Sequence, residues 1–456
     1  MAVRYDLIII GGGPAGYLAA ERAGHAGLKV AVAEERSLGG VCLNEGCIPT
    51  KSLLYSAKLY DGVKYGEKYG VKAEALSIDH AAVVRRKNKV VKLLTAGVKA
   101  QLKAVSADVY ARRARVQGRD SEGFLVSVGT QTLTGERLLI AAGSSPAFAP
   151  IPGLREGFES GFVMTNREIL DLNLPPQSLC VIGGGVIGLE LAGYFTSIGS
   201  QVTVIEMLDH IAGETDREMA SLLQADMTRK GTRFELSARV VSIKEGEVTF
   251  EKDGGQNVLP CGKVLLSIGR RPNSADMGLE QTGIAMDRAA VITDERMRTN
   301  VPGVWAAGDI NGKSMLAHTA YREAEAAVND MLGIDDIMRY DAIPSVIYTN
   351  PELSSVGLTE QEAEKRGISV RVVKLPMNYA GRYRAENEDG RGIMKLLVDP
   401  SGRVVGGQVL SNYSSEFIVA LGSWIELGLT VEQIRKIVFP HPTVSEIIRE
   451  AVFAYE

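Results

Sequence analysis

The stretch Leu7-Ile8-Ile9-Ile10-Gly11-Gly12-Gly13-Pro14-Ala15-Gly16 decides the architecture. Four consecutive apolar residues without alternation read as a short central strand of a parallel sheet, covered on both faces. Gly11, Gly13 and Gly16 follow in GxGxxG spacing. A helix rich in alanine comes next, then the strand-like Val30-Ala31-Val32-Ala33, which ends at Glu34. The glycines permit a tight turn and the close approach of a pyrophosphate to the helix N-terminus. Glu34 stands where a carboxylate accepts hydrogen bonds from ribose hydroxyls. The glycine pattern alone is a weak signal. Strand, loop, helix, strand and acid in that order make a dinucleotide-binding unit.

A second copy begins at Leu179. Gly183, Gly185 and Gly188 repeat the loop and Glu206 repeats the acid, all at a constant offset of 172 residues. Two complete units imply two dinucleotides. Glu206 selects between forms of the second one, because a carboxylate there binds a 2′-hydroxyl and repels a 2′-phosphate. The following Met207-Leu208-Asp209 offers no arginine for such a phosphate, so NAD is expected rather than NADP. Glu190, one turn into the second helix, reads by itself as a carboxylate complementing the helix dipole.

Beyond the first unit lies Gly39-Gly40-Val41-Cys42-Leu43-Asn44-Glu45-Gly46-Cys47-Ile48-Pro49-Thr50-Lys51. A disulfide needs Cα atoms within about 7 Å, and five steps of regular helix already rise about 7.5 Å. Cys42 and Cys47 therefore bond only across a turn or a distorted helical turn. Gly46 supplies backbone freedom, and Pro49 pre-sets the φ of a following helix. A helix start favours a thiolate, and a bond in a tight ring is more reducible than a structural one. The bland readings are inert buried thiols or half of a zinc site. Zinc needs further ligands at short spacing. Cys180 and Cys261 each stand alone in apolar strand-like runs, so no metal is expected. A redox pair beside two dinucleotide units points to a flavin and a nicotinamide.

Bulk composition is consistent with this. A chain of 456 residues exceeds one ordinary core, and about three domains are expected. Lys and Arg number 51 against 55 Asp and Glu, a formal charge of −4. That balance argues against nucleic acid or an anionic membrane as main partner. Four cysteines do not make a secreted disulfide scaffold. No run of about eighteen apolar residues spans a membrane. Arg4 and Asp6 precede a glycine loop where a signal peptide would have its apolar core. A cytoplasmic enzyme is expected.

With these motifs in hand the chain resembles, over essentially its whole length, the pyridine nucleotide–disulfide oxidoreductases. Within them it is most similar to the branch that oxidises protein-bound dihydrolipoyl groups. The resemblance rests on Gly11–Gly16, Gly39–Lys51, Gly183–Glu190 with Glu206, Ser267-Ile268-Gly269-Arg270-Arg271-Pro272-Asn273, Ala306-Ala307-Gly308-Asp309 and His441-Pro442-Thr443-Val444-Ser445-Glu446. It implies an α/β fold with two Rossmann-like domains, for FAD and NAD, and a C-terminal α+β dimerisation domain. It makes Cys42 the sulfur that exchanges with substrate and Cys47 the thiolate against the flavin. Lys51 and Glu190 would pair near the flavin ring. Asp309 would hold the ribityl chain, with Ala114 and Ala317 as backbone contacts, and Val240 and Gly269 would line the NAD side. His441 would be the acid–base, oriented by Glu446 and reaching the active site of the other subunit of a homodimer. The partner implied is a lipoyl-bearing carrier domain of a multienzyme complex.

The remaining segments are placed around these. Residues 1–146 form the first part of the FAD domain, 147–273 the NAD domain, 274–339 the return to the FAD domain and 340–456 the interface domain. The basic run Arg85-Arg86-Lys87 reads as a solvated helix face, and His25, His80 and His210 as surface residues. Ser411-Asn412-Tyr413-Ser414-Ser415-Glu416, Phe439-Pro440 and Ala324 depart from the family's usual residues and bear on partner choice. Rival readings are a glutathione-type reductase, which would want basic residues for NADP after the second unit, and a mercuric reductase, which would want a further C-terminal cysteine pair. A non-catalytic flavoprotein subunit would lack Cys42, Cys47 or His441, and all three are present.

Overall fold

The computed structural model describes residues 3–456, which divide into two compact units. The first comprises residues 3–52, 81–147 and 269–339. Its sheet contains β1 (Val3–Ile10), β2 (Val30–Ala33), β3 (Asp108–Tyr110), β4 (Ala114–Arg119), β5 (Phe124–Val128) and β6 (Gln131–Ile140) in the order β3-β2-β1-β6-β5-β4. The strand Val304–Ala306 pairs with β6 off this path. β1 runs parallel to β2 with Leu7 opposite Val30, and parallel to β6 with Ile10 opposite Ile140. Leu7, Ile8, Ile9, Leu138, Leu139 and Ile140 are fully buried. Each contributes about 1.5–3 kcal/mol by leaving water. β4 and β5 fold back antiparallel, as the alternating sequence over 108–140 leads one to expect.

Helix α1 (Pro14–His25) begins at proline, whose missing N–H costs nothing in the first turn. Its buried Ala19, Ala20 and Ala23 let it pack closely with the helix Ala317–Met331, which buries Ala320, Ala324 and Ala327. The Tyr17 and Tyr321 hydroxyls bond at 2.5 Å across this contact, and Arg22 reaches Glu325 at 3.1 Å. α2 (Gly40–Glu45), α3 (Cys47–Lys64) and α4 (His80–Ala104) follow β2. The basic run on α4 is not uniformly solvated. Arg85 and Arg86 are exposed, but Lys87 is buried because it shares the inward face with Val83 and Val84, three and four residues earlier.

The second unit comprises residues 53–80, 148–268 and 340–456. It repeats the parallel sheet with Arg233–Glu235, Gln201–Ile205, Ser178–Ile182, Lys263–Leu266 and Val163–Met164 in spatial order. Val202 lies opposite Leu179 and Leu265 opposite Val181. From Ser345 the chain makes an antiparallel sheet of five strands, ordered Ser345–Ile347, Glu352–Gly357, Val404–Ser411, Ile393–Val398 and Arg371–Pro376. One face carries Met394, Leu396 and Val409 against Ile418, Leu421, Trp424, Ile447 and Val452 of two covering helices.

Two expectations are corrected here. His80 is buried, not a surface residue. Its Nε2 donates to the Leu172 carbonyl at 3.0 Å, which leaves Nδ1 to accept from the Tyr194 hydroxyl at 2.8 Å. Burial lowers its pKa. Its partners lie about a hundred residues away in the chain, out of reach of any local pattern. Likewise Cys180 and Cys261 are not solitary. Both face one apolar cluster with Phe162, Val248 and Phe250, and their sulfurs are hydrogen bonded.

Glycine is required at Gly16, where a Cβ would fall 1.8 Å from the Gly11 carbonyl oxygen, and is dispensable at Gly97 in mid-α4, where a Cβ meets nothing within 4 Å. Thermal unfolding of the FAD-loaded protein checks the contrast. Gly97→Ala should stabilise by about 0.5–1 kcal/mol, whereas Gly16→Ala should lower the melting temperature and reduce flavin content.

Candidate active site

The two dinucleotide loops share one geometry. In the first, the Gly12 amide donates to Glu34 Oε2 at 2.7 Å and the Arg36 amide to Oε1 at 2.7 Å. In the second, the Gly184 amide donates to Glu206 Oε2 at 2.6 Å and the Leu208 amide to Oε1 at 2.8 Å. Each acid is thus held on the middle glycine of its own loop. Gly13 and Gly185 stand at the N-caps of twelve-residue helices and bring no side-chain cap. The first-turn N–H groups therefore face outward as a ready anion site. A Cβ at Gly188 would lie 2.2 Å from the Gly183 carbonyl oxygen, which repeats the approach of Gly16 to Gly11.

The cysteine pair is mounted on the first loop. Gly40, at φ +59, lies so close to Gly13 that a Cβ on it would fall 2.7 Å from the Gly13 Cα. This contact sets the start of α2 against the start of α1. Asn44 Nδ2 ties α2 down by donating to the carbonyls of Leu38 at 3.0 Å and Gly40 at 2.9 Å. α2 stops at Gly46, which has φ −142° and ψ −106°, and α3 starts at Cys47. The Thr50 amide and hydroxyl both donate to the Gly46 carbonyl, at 3.1 and 2.6 Å, and hold the break. The break brings Cys42 and Cys47 into sulfur–sulfur hydrogen bonding. That bond, and then burial, push the Cys42 thiol up, against the opposing charge of Lys51. Cys47 stands at the start of α3, where the helix dipole favours a thiolate.

Asp309 follows Gly308 just beyond the strand Val304–Ala306, in a helical turn. Ser144 Oγ donates to its carboxylate. Arg270 Nε in turn donates to Ser144 Oγ at 2.7 Å, and Nη2 to the Ser144 carbonyl at 2.7 Å. Ser144 and Arg270 escaped the sequence reading as individual site residues. Arg270 was visible only as part of a motif, and nothing local connects Ser144 to Asp309, 165 positions on. Ala317 opens its helix, so its amide is among the first-turn donors. Ala114 opens β4 opposite Val128.

In the second unit, Glu190 is buried on the helix Val186–Ser197 and accepts from the Tyr348 amide at 2.9 Å. Val240 lies in the strand Arg239–Lys244. Gly269, at φ +106, belongs to the first unit and accepts from the Ala147 amide at 3.0 Å. His441 is exposed over 75% of its side chain, and its Nδ1 meets Glu446 Oε1 at 2.6 Å. Glu446 Oε2 accepts from the Thr443 amide at 2.7 Å. Burial raises the Glu446 pKa, but the bonds from His441 and Thr443 outweigh it and hold the carboxylate below its ordinary range. A fixed carboxylate thus orients the imidazole and leaves Nε2 pointing outward as a proton acceptor.

Residues 5–324 match the pyridine nucleotide-disulphide oxidoreductase family, and residues 343–452 match that family's dimerisation domain. The chain is 37% identical over 457 residues to dihydrolipoyl dehydrogenase of Geobacillus stearothermophilus, covering 99% of this chain and 96% of the relative. It is 36% identical over 453 residues to dihydrolipoyl dehydrogenase of Mycoplasma pneumoniae, covering 98% of both. Among solved structures, LpdA from Mycobacterium tuberculosis superposes with a TM-score of 0.90 at 26% identity over 99% of each chain. The HOCl-induced flavoprotein disulfide reductase RclA from Escherichia coli gives 0.86 at 29% identity, over 99% of this chain and all of that one. Two glycine loops closed by carboxylates, a cysteine pair mounted on the first, and matches of this length and identity agree: the chain belongs to the pyridine nucleotide–disulphide oxidoreductases and uses FAD and NAD.

Proposed function

We propose that the protein is a dihydrolipoyl dehydrogenase, which oxidises dihydrolipoyl groups on a carrier domain of a multienzyme complex and delivers the electrons to NAD. The observation that carries this reading is the hydrogen-bonded Cys42–Cys47 pair, mounted by Gly40 on the first dinucleotide loop. The full-length relatives named above support the lipoyl substrate. The cradles fit the cofactors. The first loop, with Asp309 and the Ala317 amide, would hold FAD. The second, with Glu206 and Val240, would hold NAD. FAD in that first cradle would supply an acceptor for the electron pair of the reduced cysteines and the hydride chemistry that links it to NAD.

The chain's own residues perform the thiol chemistry. His441 Nε2 takes a proton from one substrate thiol, and Glu446 stabilises the imidazolium. The substrate thiolate attacks Sγ of Cys42 in the oxidised pair, and the Cys42–Cys47 bond breaks with Cys47 leaving as thiolate. The second substrate sulfur then attacks the first one, and Cys42 leaves and recovers a proton. The product is the cyclic disulfide, and two electrons rest on the cysteine pair. We assign Lys51 to the charge balance of that pair and Glu190 to the side of hydride transfer. In the homodimer that the dimerisation domain would build, His441 serves the cysteines of the other subunit.

Three measurements test this. Cys47→Ser should abolish dihydrolipoamide-dependent NAD reduction while FAD remains bound. Unchanged turnover would defeat the redox reading, and activity only with other disulfides would move the substrate assignment. His441→Ala should lower turnover about 10²–10⁴-fold, yet hybrid dimers formed by mixing His441→Ala with Cys47→Ser subunits should regain activity, because one site then has both groups. No regain would mean that His441 acts within its own subunit. Glu206→Ala removes an acceptor of about 1.5–3 kcal/mol, so the KM for NAD should rise roughly 10–100-fold. Preference over NADP should shrink in the same steady-state assay.

A further inference from the structure

Lys395 lies in the middle of the C-terminal sheet, on the strand Ile393–Val398. Its neighbours Met394 and Leu396 point into the apolar core, so it faces the opposite side, in one cross-strand row with Lys374 and Gln408. Its side chain is 2% exposed. Nζ donates to Asp216 Oδ1 at 2.9 Å and Oδ2 at 3.1 Å, and it meets Glu218 Oε2 at 2.9 Å and the Glu360 carboxylate. Lys374 also bonds Glu218. Asp216 is fully buried and is the N-cap of the helix Arg217–Arg229, accepting from the amides of Glu218 and Met219 at 3.1 Å each. Three carboxylates at two helix starts, those at Arg217 and Glu360, thus converge on one buried lysine.

Buried ion pairs contribute little net stability, since desolvation offsets their attraction, yet breaking one is costly. What such a cluster does well is hold its members in one place. Asp216 closes the loop that begins at Glu206. That loop is also fastened in its middle, where the Ala212 amide donates to the Gly184 carbonyl at 2.8 Å and the Thr215 amide to the Ala212 carbonyl at 3.2 Å. Ala212 sits at φ +65, a left-handed conformation that alanine adopts only when its surroundings impose it. A short covalent and hydrogen-bonded path therefore runs from Gly184, through Ala212 and Asp216, to Lys395.

We propose that Lys395 is a positioning residue for NAD: from the dimerisation domain it fixes, through Asp216, the 206–216 loop that borders the second dinucleotide cradle. This rests on the reading that Gly183–Gly188 and Glu206 hold NAD. The test uses the full-length, FAD-loaded enzyme carrying Lys395→Met, which keeps an unbranched stem one heavy atom shorter and removes the charge. The KM for NAD and the Kd for NADH should rise about tenfold. The rate at which dihydrolipoamide reduces the enzyme anaerobically, without NAD, should stay within about twofold. Unchanged nucleotide affinity overturns the proposal, and so does an equal fall in both half-reactions, which marks a merely structural role. Should Lys395→Met fail to fold, Glu360→Gln weakens the cluster from its exposed rim, and a rise of about threefold in the same constants is expected; no rise overturns the proposal. Glu206→Ala is the control. If it leaves NAD affinity unchanged, the nucleotide assignment itself falls.

Discussion

Everything in this protein depends on a backbone approach too close for any side chain. At Gly16 and Gly11 a helix start meets a strand end at a distance that excludes a Cβ, and at Gly188 and Gly183 the same contact recurs. That approach turns the first-turn amides of each helix outward and leaves the following acid room to bond the middle glycine. Gly40 then packs on Gly13, so the same constraint that shapes the nucleotide cradle also locates the cysteine helix. The cysteine pair and the first glycine loop are adjacent because Gly40 packs directly on Gly13.

Electrostatics then divides the labour between chemically equal groups. Cys42 and Cys47 differ only in position. Cys47 lies at the start of α3, while Cys42 lies inside α2, where its interaction with Cys47 raises its pKa. His441 and Glu446 show the same economy. The carboxylate is fixed by the Thr443 amide, so only one imidazole nitrogen is left for outside chemistry.

The second unit combines a cofactor cradle with a dimerisation sheet. The polar row on the face of that sheet away from its apolar core gathers Lys374, Gln408 and Lys395, and the last meets the cap of the helix Arg217–Arg229. An apolar seam would hold the two together as well or better. This charged seam lies at the end of the loop that begins at Glu206.

Much of this was legible in the sequence because it is local. Each glycine loop with its distal acid, and the cysteine spacing, depend on residues within about thirty positions of each other, where backbone geometry alone restricts what the chain can do, and the repeat is the same local pattern read twice. Tertiary structure alone decided the rest. It buried Lys87 and His80, set Cys180 against Cys261, placed Ser144 and Arg270 on Asp309, and brought Lys395 to Asp216. The separation from Ser144 to Asp309 is 165 residues, and from Asp216 to Lys395 it is 179. A polar or charged side chain is tolerated in an interior only if a partner arrives, and which partner arrives is set by how distant elements pack, which no local pattern encodes.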